Sequence, residues 1–172
     1  NPLLDQSASR LERDLRLDDP ERDRRWVQFR NPEPSDTTLQ ALRDVLEDWN
    51  DPATPDEERR TALITVLKHH GRLASLANLM QALQPQQVSA LIIDDEADQA
   101  SLNTEVAQGL ESSTYRRLME LRQALPSSTY LQYTATPQAP LLISIIDALS
   151  PNFVQVLEPG DAYVGGRDFF ED

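Results

Sequence analysis

Three short apolar runs, TALITVLK (Thr61–Lys68), SALIID (Ser89–Asp94) and TYLQYTA (Thr129–Ala135), are separated by two stretches with helical spacing. This alternation constrains the fold more than any other feature. β-Branched runs of five to eight residues read as buried strands. Between them, Leu73, Leu76, Ala77, Met80 and Leu83 mark one helix face, and Tyr115, Leu118, Leu121 and Leu125 mark another that stops at Pro126. Strand, helix, strand, helix, strand implies parallel pairing through crossover helices. Runs apolar on both faces fit a sheet covered on both sides. The expected fold is therefore α/β, a mainly parallel sheet with flanking helices. The expected spatial order is Thr61–Lys68, then Ser89–Asp94, then Thr129–Ala135. A further helix over about Ala139–Leu149 and a fourth strand at Phe153–Leu157 complete this part.

Residues 1–60 read differently, as a helical section with Pro-rich loops. Leu4, Ala8, Leu11 and Leu15 recur at helical spacing. The charged stretch around Trp26 reads as a loop or short helix. Ser35 or Asp36 caps a helix running to about Trp49, with Leu39, Leu42, Val45, Leu46 and Trp49 on one stripe. Asn50–Arg60 reads as a loop. Two sections follow, 1–60 and 61–172. Trp26, Phe29 and Trp49 read as packing residues. Arg22, Arg24 and Arg25 sit among acids and read as a solvated surface, and Gly160, Gly165 and Gly166 as turn residues.

Parallel α/β sheets bind ligands at the carboxyl ends of their strands. The three runs end in KHHGR, DDEAD and TATP, so all three polar endings belong on one sheet edge. Apolar strands that end in Asp-Glu serve nucleotide triphosphatases. The aspartate holds Mg²⁺ and the glutamate polarises the attacking water. Two registers are open, because Asp94, Asp95 and Glu96 are consecutive. Asp95 and Glu96 give the longer side chain the second place and complete Asp95-Glu96-Ala97-Asp98. Asp94 then stands as an extra acid beside the metal. Thr134 and Thr136 are placed to hydrogen-bond Asp98 and couple the two strand ends. Lys68, His70 and Arg72 lie on the same edge and are candidates to face substrate, the competing readings being a solvated strand end for Lys68 and a satisfied histidine near a strand end for His70. His69 and His70, as strand neighbours, point apart and make a poor metal pair. The competing reading of Asp94–Asp98 is a solvated turn whose acids cap a helix. A metal-dependent hydrolase using Asp94, Asp95 and Glu96 without nucleotide is a third.

DEAD and TATP together resemble motifs II and III of superfamily 2 helicase-like ATPases. The strings VLKHHGRLASLANLM, LIIDDEADQASLNT, YTATPQAPLL and LEPGDAYVGG resemble the Z-one domain family of endonucleases with a helicase-like ATPase core. The resemblance runs from about Thr61 to Phe170. It implies part of a RecA-like (P-loop NTPase) lobe, with Asp95 for Mg²⁺, Glu96 for water activation, and Asp98, Thr134 and Thr136 for coupling. It also implies ATP as the nucleotide and use in defence against foreign DNA; a cytoplasmic location is expected because nothing in the sequence points outside the cell.

Other features set bounds. The phosphate loop G-x-x-x-x-G-K-[ST] does not occur, and Lys68 is the only lysine. The chain starts at Asn1 rather than Met, which reads as a fragment whose phosphate loop lies upstream. Net charge is −13 with no basic patch, so nucleic acid, DNA foremost, is expected to meet other parts of the parent protein. The remainder of the helicase core is the other expected partner. No apolar run approaches the ~18 residues of a membrane span. Cysteine is absent, which excludes disulfides and thiolate chemistry. No nuclease constellation is visible. The alternative function is a non-catalytic α/β interaction module.

Overall fold

The computed structural model describes residues 2–17, 19, 26–85, 88–98, 112–136 and 149–158. Four helices and four strands alternate along them. They are α1 (Pro2–Asp14), β1 (Trp26–Arg30), α2 (Asp36–Asn50), β2 (Thr61–Thr65), α3 (His70–Leu83), β3 (Ala90–Asp95), α4 (Ser113–Ala124) and β4 (Ser128–Tyr133). The class is α/β, and both strand pairings are parallel.

Side-chain caps start three of the helices, of which the sequence reading names one, at Ser35 or Asp36. Ser35 caps α2, its hydroxyl accepting from the Thr38 amide at 3.1 Å. Ser112 caps α4 in the same way through the Tyr115 amide at 3.2 Å. His69 caps α3, its Nδ1 accepting from the Gly71 amide at 3.3 Å. Each such bond satisfies an amide that the first helical turn leaves without a partner. The helix read over Ala139–Leu149 falls outside the described residues except at Leu149, as do Arg22, Arg24, Arg25, Gly160, Gly165 and Gly166.

One core joins the helices to the strands. Leu42 of α2, Leu76, Ala77, Leu79 and Met80 of α3, and Leu121 with Leu125 at the end of α4 are buried together. Phe29 of β1, Ala62 and Ile64 of β2, and Ala90 and Ile92 of β3 pack against that cluster. Three helices thus share one apolar layer, and the strands lie on it. Removing roughly a leucine's worth of apolar surface from water contributes about 2 kcal/mol, so this shared layer dominates the stability.

The structure corrects four expectations. First, residues 26–30 form a strand, not a loop or short helix. β1 pairs in parallel with β2, Trp26 opposite Thr61 through Arg30 opposite Thr65. The N-terminal section is therefore not purely helical, and a sheet crosses the 60/61 boundary. Second, β2 does not pair with β3. The four strands form two ladders, β1–β2 and β3–β4. β2 ends at Thr65, because the Leu67 amide donates to Asn31 Oδ1 at 2.9 Å rather than to a strand neighbour. Third, Phe153–Leu157 is not a strand. These residues are non-helical and exposed, and β-branched composition without a partner ladder makes no strand. Fourth, the β3–β4 sheet is covered on one face only among the described residues. Leu91, Ile93, Leu131 and Tyr133 stand 43–62% exposed on the other face.

Arg60 ties the 50–60 loop back to α2. Its guanidinium meets Asp48 (Nε to Oδ2, 2.5 Å) and the Asp44 carbonyl at 2.8 Å. This hydrogen bond holds the Asp48 carboxyl below its ordinary range. Trp49 is 43% exposed, with its indole N–H donating to the Arg60 carbonyl at 2.6 Å.

Candidate functional site

The carboxyl ends of β3 and β4 lie side by side because the two strands are parallel and in register. Ile93 faces Leu131, Asp94 faces Gln132 and Asp95 faces Tyr133. A turn follows β3 at Glu96–Asp98. Its middle residue, Ala97, is fully buried, and its amide donates to the Tyr133 carbonyl at 3.1 Å. That bond carries the β3–β4 pairing one step past the strand and fixes the turn against β4.

Asp98 then reaches β4's continuation. Thr134 Oγ1 donates to Asp98 Oδ1 at 2.6 Å, and Thr136 Oγ1 donates to Oδ2. The Thr136 amide in turn donates to Thr134 Oγ1 at 3.0 Å. The expected link between Asp98 and the two threonines is present in this geometry. The Thr134 hydroxyl foremost, then that of Thr136, lowers the Asp98 pKa from its ordinary 3.8. Replacing Thr134 by Val should raise the Asp98 pKa toward that ordinary value, read by carboxyl NMR titration. The sign follows from linkage. With the folded pKa depressed, the stabilising contribution is complete above the ordinary value and disappears as pH falls through the folded one. Thr134→Val should therefore flatten the acid limb of the stability curve; an unchanged Asp98 titration would contradict the contact.

The three consecutive acids have different environments, and strand alternation is the cause. Ala90, Ile92 and Asp94 point to the helical side; Leu91, Ile93 and Asp95 point away. Asp94 is thus carried inward, and its side chain is only 4% exposed. Both its oxygens are engaged, Oδ1 by Lys68 Nζ at 3.0 Å and Oδ2 by the Tyr130 hydroxyl at 2.5 Å. Burial, then the Asp94 charge, pushes the Tyr130 hydroxyl far above the usual phenol range, so it remains a donor. Both Asp94 oxygens are thus engaged in internal contacts.

Asp95 and Glu96 are exposed. Asp95 Oδ1 accepts the Glu96 amide at 3.0 Å, and Glu96 adopts a left-handed backbone with φ of 51°. Among the described residues no group of three or more His, Asp or Glu side chains is arranged to hold a metal ion.

Lys68, His70 and Arg72 lie on the stretch that leads from β2 into α3. Lys68 Nζ gives its donors to Asp94 Oδ1, the Asp95 carbonyl at 2.6 Å and the Glu96 carbonyl at 2.7 Å. An ammonium has three donors, so none is left for a phosphate. Arg72 is paired with Glu33, and His70 is the exposed first residue of α3. Tyr130 went unnoticed in the sequence. Its signal was available: it shares a face with Asp94 once the two strands are paired in parallel.

No protein-family model, curated protein or solved structure matches this chain.

Proposed function

We propose that this chain carries the acidic turn and the coupling threonines of a helicase-like ATPase, in which Mg-ATP hydrolysis drives action on nucleic acid. In this reading the lobe is RecA-like and the protein an endonuclease-linked ATPase of the Z-one type. The observation that best supports it is the Asp98 carboxylate receiving both the Thr134 and Thr136 hydroxyls. A solvated helix cap has no need of a second strand end. Here hydrogen bonds tie the turn to the end of β4, which gives a change at Glu96 a route to β4 in this reading.

Each residue has a role that its position permits. Glu96, exposed on the turn, orients and polarises water. Asp95 beside it presents a carboxylate to Mg²⁺. Asp98 with Thr134 and Thr136 couples the turn to β4. The chain's own part is to hold these groups at one sheet edge. Phosphate binding requires a loop that these 172 residues do not contain. Their net charge of −13 also opposes ATP, which is itself anionic. Titrating these residues alone with Mg-ATP should therefore give no saturable binding at micromolar concentrations. Tight, stoichiometric binding would remove this part of the reading.

One observation favours a second reading, a non-catalytic interaction module. The exposed Leu91, Ile93, Leu131 and Tyr133 form a continuous apolar strip on the β3–β4 sheet. ATP turnover by the protein that carries the phosphate loop, and its loss on changing Glu96, separates the two.

A further inference from the structure

We propose that Lys68 is a positioning residue that stands where a bound cation would otherwise be needed, and that it holds the left-handed backbone on which Glu96 is presented. Three oxygens converge on its ammonium: one carboxylate oxygen of Asp94 and the main-chain carbonyls of Asp95 and Glu96, at 2.6 to 3.0 Å. Carboxylate and carbonyl oxygens gathered around one positive centre are what a hard cation collects in other proteins. Here the positive centre is covalently attached, on the connection between β2 and α3.

Two costs explain why the turn needs it. Asp94 is a buried carboxylate, and an unpaired buried charge is strongly unfavourable. Glu96 has φ of 51°, a conformation that non-glycine residues occupy only when their surroundings impose it. Lys68 offsets both at once, neutralising Asp94 and binding the carbonyls on either side of the strained φ. The contact also supplies the link between the two ladders that strand pairing does not. Lys68 acts through the backbone of Glu96 and touches no reacting group.

Hydrogen exchange of the Ala97 amide reports the turn directly, because that amide is bonded to the Tyr133 carbonyl. Lys68→Met should speed Ala97 exchange at least tenfold relative to amides of α3 around Leu79. Adding Glu96→Gly, which removes the steric cost of positive φ, should restore most of that protection. Equal loss at Ala97 and in α3, or no effect of the glycine, would overturn the proposal. Should Lys68→Met fail to fold, the unchanged protein still decides. Its sole lysine should react with an amine reagent at least tenfold more slowly when folded than in denaturant. Equal rates would overturn the proposal.

The functional part rests on the ATPase reading. In the protein that carries the phosphate loop, Lys68→Met should lower kcat with little change in KM. The exchange measurement uses no nucleotide. Ala97 deprotection without any ATPase activity in the unchanged protein would therefore sink the ATPase reading and leave the positioning role standing.

Discussion

On the ATPase reading, Glu96→Gln made in a protein that carries the phosphate loop should slow ATP hydrolysis by about 100-fold or more while leaving ATP binding largely intact. A positioned general base contributes roughly 10² to 10⁴ in rate. Glutamine retains the length of the side chain and loses only the charge that polarises water. The fold should not respond. Glu96 is exposed, and glutamine meets the left-handed backbone with the same steric cost as glutamate. Unfolding free energy should therefore stay within about 0.5 kcal/mol of the parent. Single-turnover hydrolysis and urea unfolding measured on the same preparation separate the two effects. Hydrolysis at the parental rate would show that Glu96 is not the base and that the acid register is wrong.

The second large effect separates Asp94 from Asp95, neighbours that sequence alone leaves hard to rank. Asp94→Ala should cost about 3 kcal/mol of stability, because it strands the Lys68 ammonium and the Tyr130 hydroxyl in a half-buried site. Asp95→Ala should cost no more than about 1 kcal/mol, since an exposed carboxylate loses a single bond from the Glu96 amide. Their functional effects should be reversed in character. Asp95→Ala should weaken the dependence of ATPase activity on Mg²⁺, whereas Asp94→Ala should act through folding. Chemical unfolding of the two variants checks the first half, and a Mg²⁺ titration of activity checks the second. A stable Asp94→Ala variant with an impaired Mg²⁺ response would return Asp94 to the metal.

These two acids also show what can be read from a linear chain. Alternation places Asp94 with Ala90 and Ile92 and Asp95 with Leu91 and Ile93. The sequence contains that parity but not which face meets the helices. Ile92 and Ile93 are equally apolar, so only packing could choose. Once α3 and α4 cover the Ile92 side, Asp94 is carried inward and needs a counter-ion. Lys68 supplies it from 26 residues away, and Tyr130 adds a neutral hydrogen bond from 36 residues away.

Much was determined by the sequence alone. The alternation of short apolar runs with helical spacing specified an α/β chain. It also specified the parallel pairing of Ser89–Asp94 with Thr129–Ala135, and the meeting of Asp98 with Thr134 and Thr136 at the strand ends. Ser35 or Asp36 marked the start of α2, and the structure places the cap at Ser35. These are short-range properties: periodicity, capping chemistry and the direction a crossover must take. Tertiary structure alone decided the rest. Trp26–Arg30 is a strand because β2 offers it a ladder, although its flanking charges and prolines suggest a loop. Phe153–Leu157 has strand composition and no ladder among the described residues, so it forms no strand. The segment after β2 meets the end of β3 through the Lys68 side chain rather than through strand pairing. The physical reason is the same in each case. A strand's hydrogen bonds and a buried charge's partner are satisfied by groups distant in sequence, and no local pattern names them.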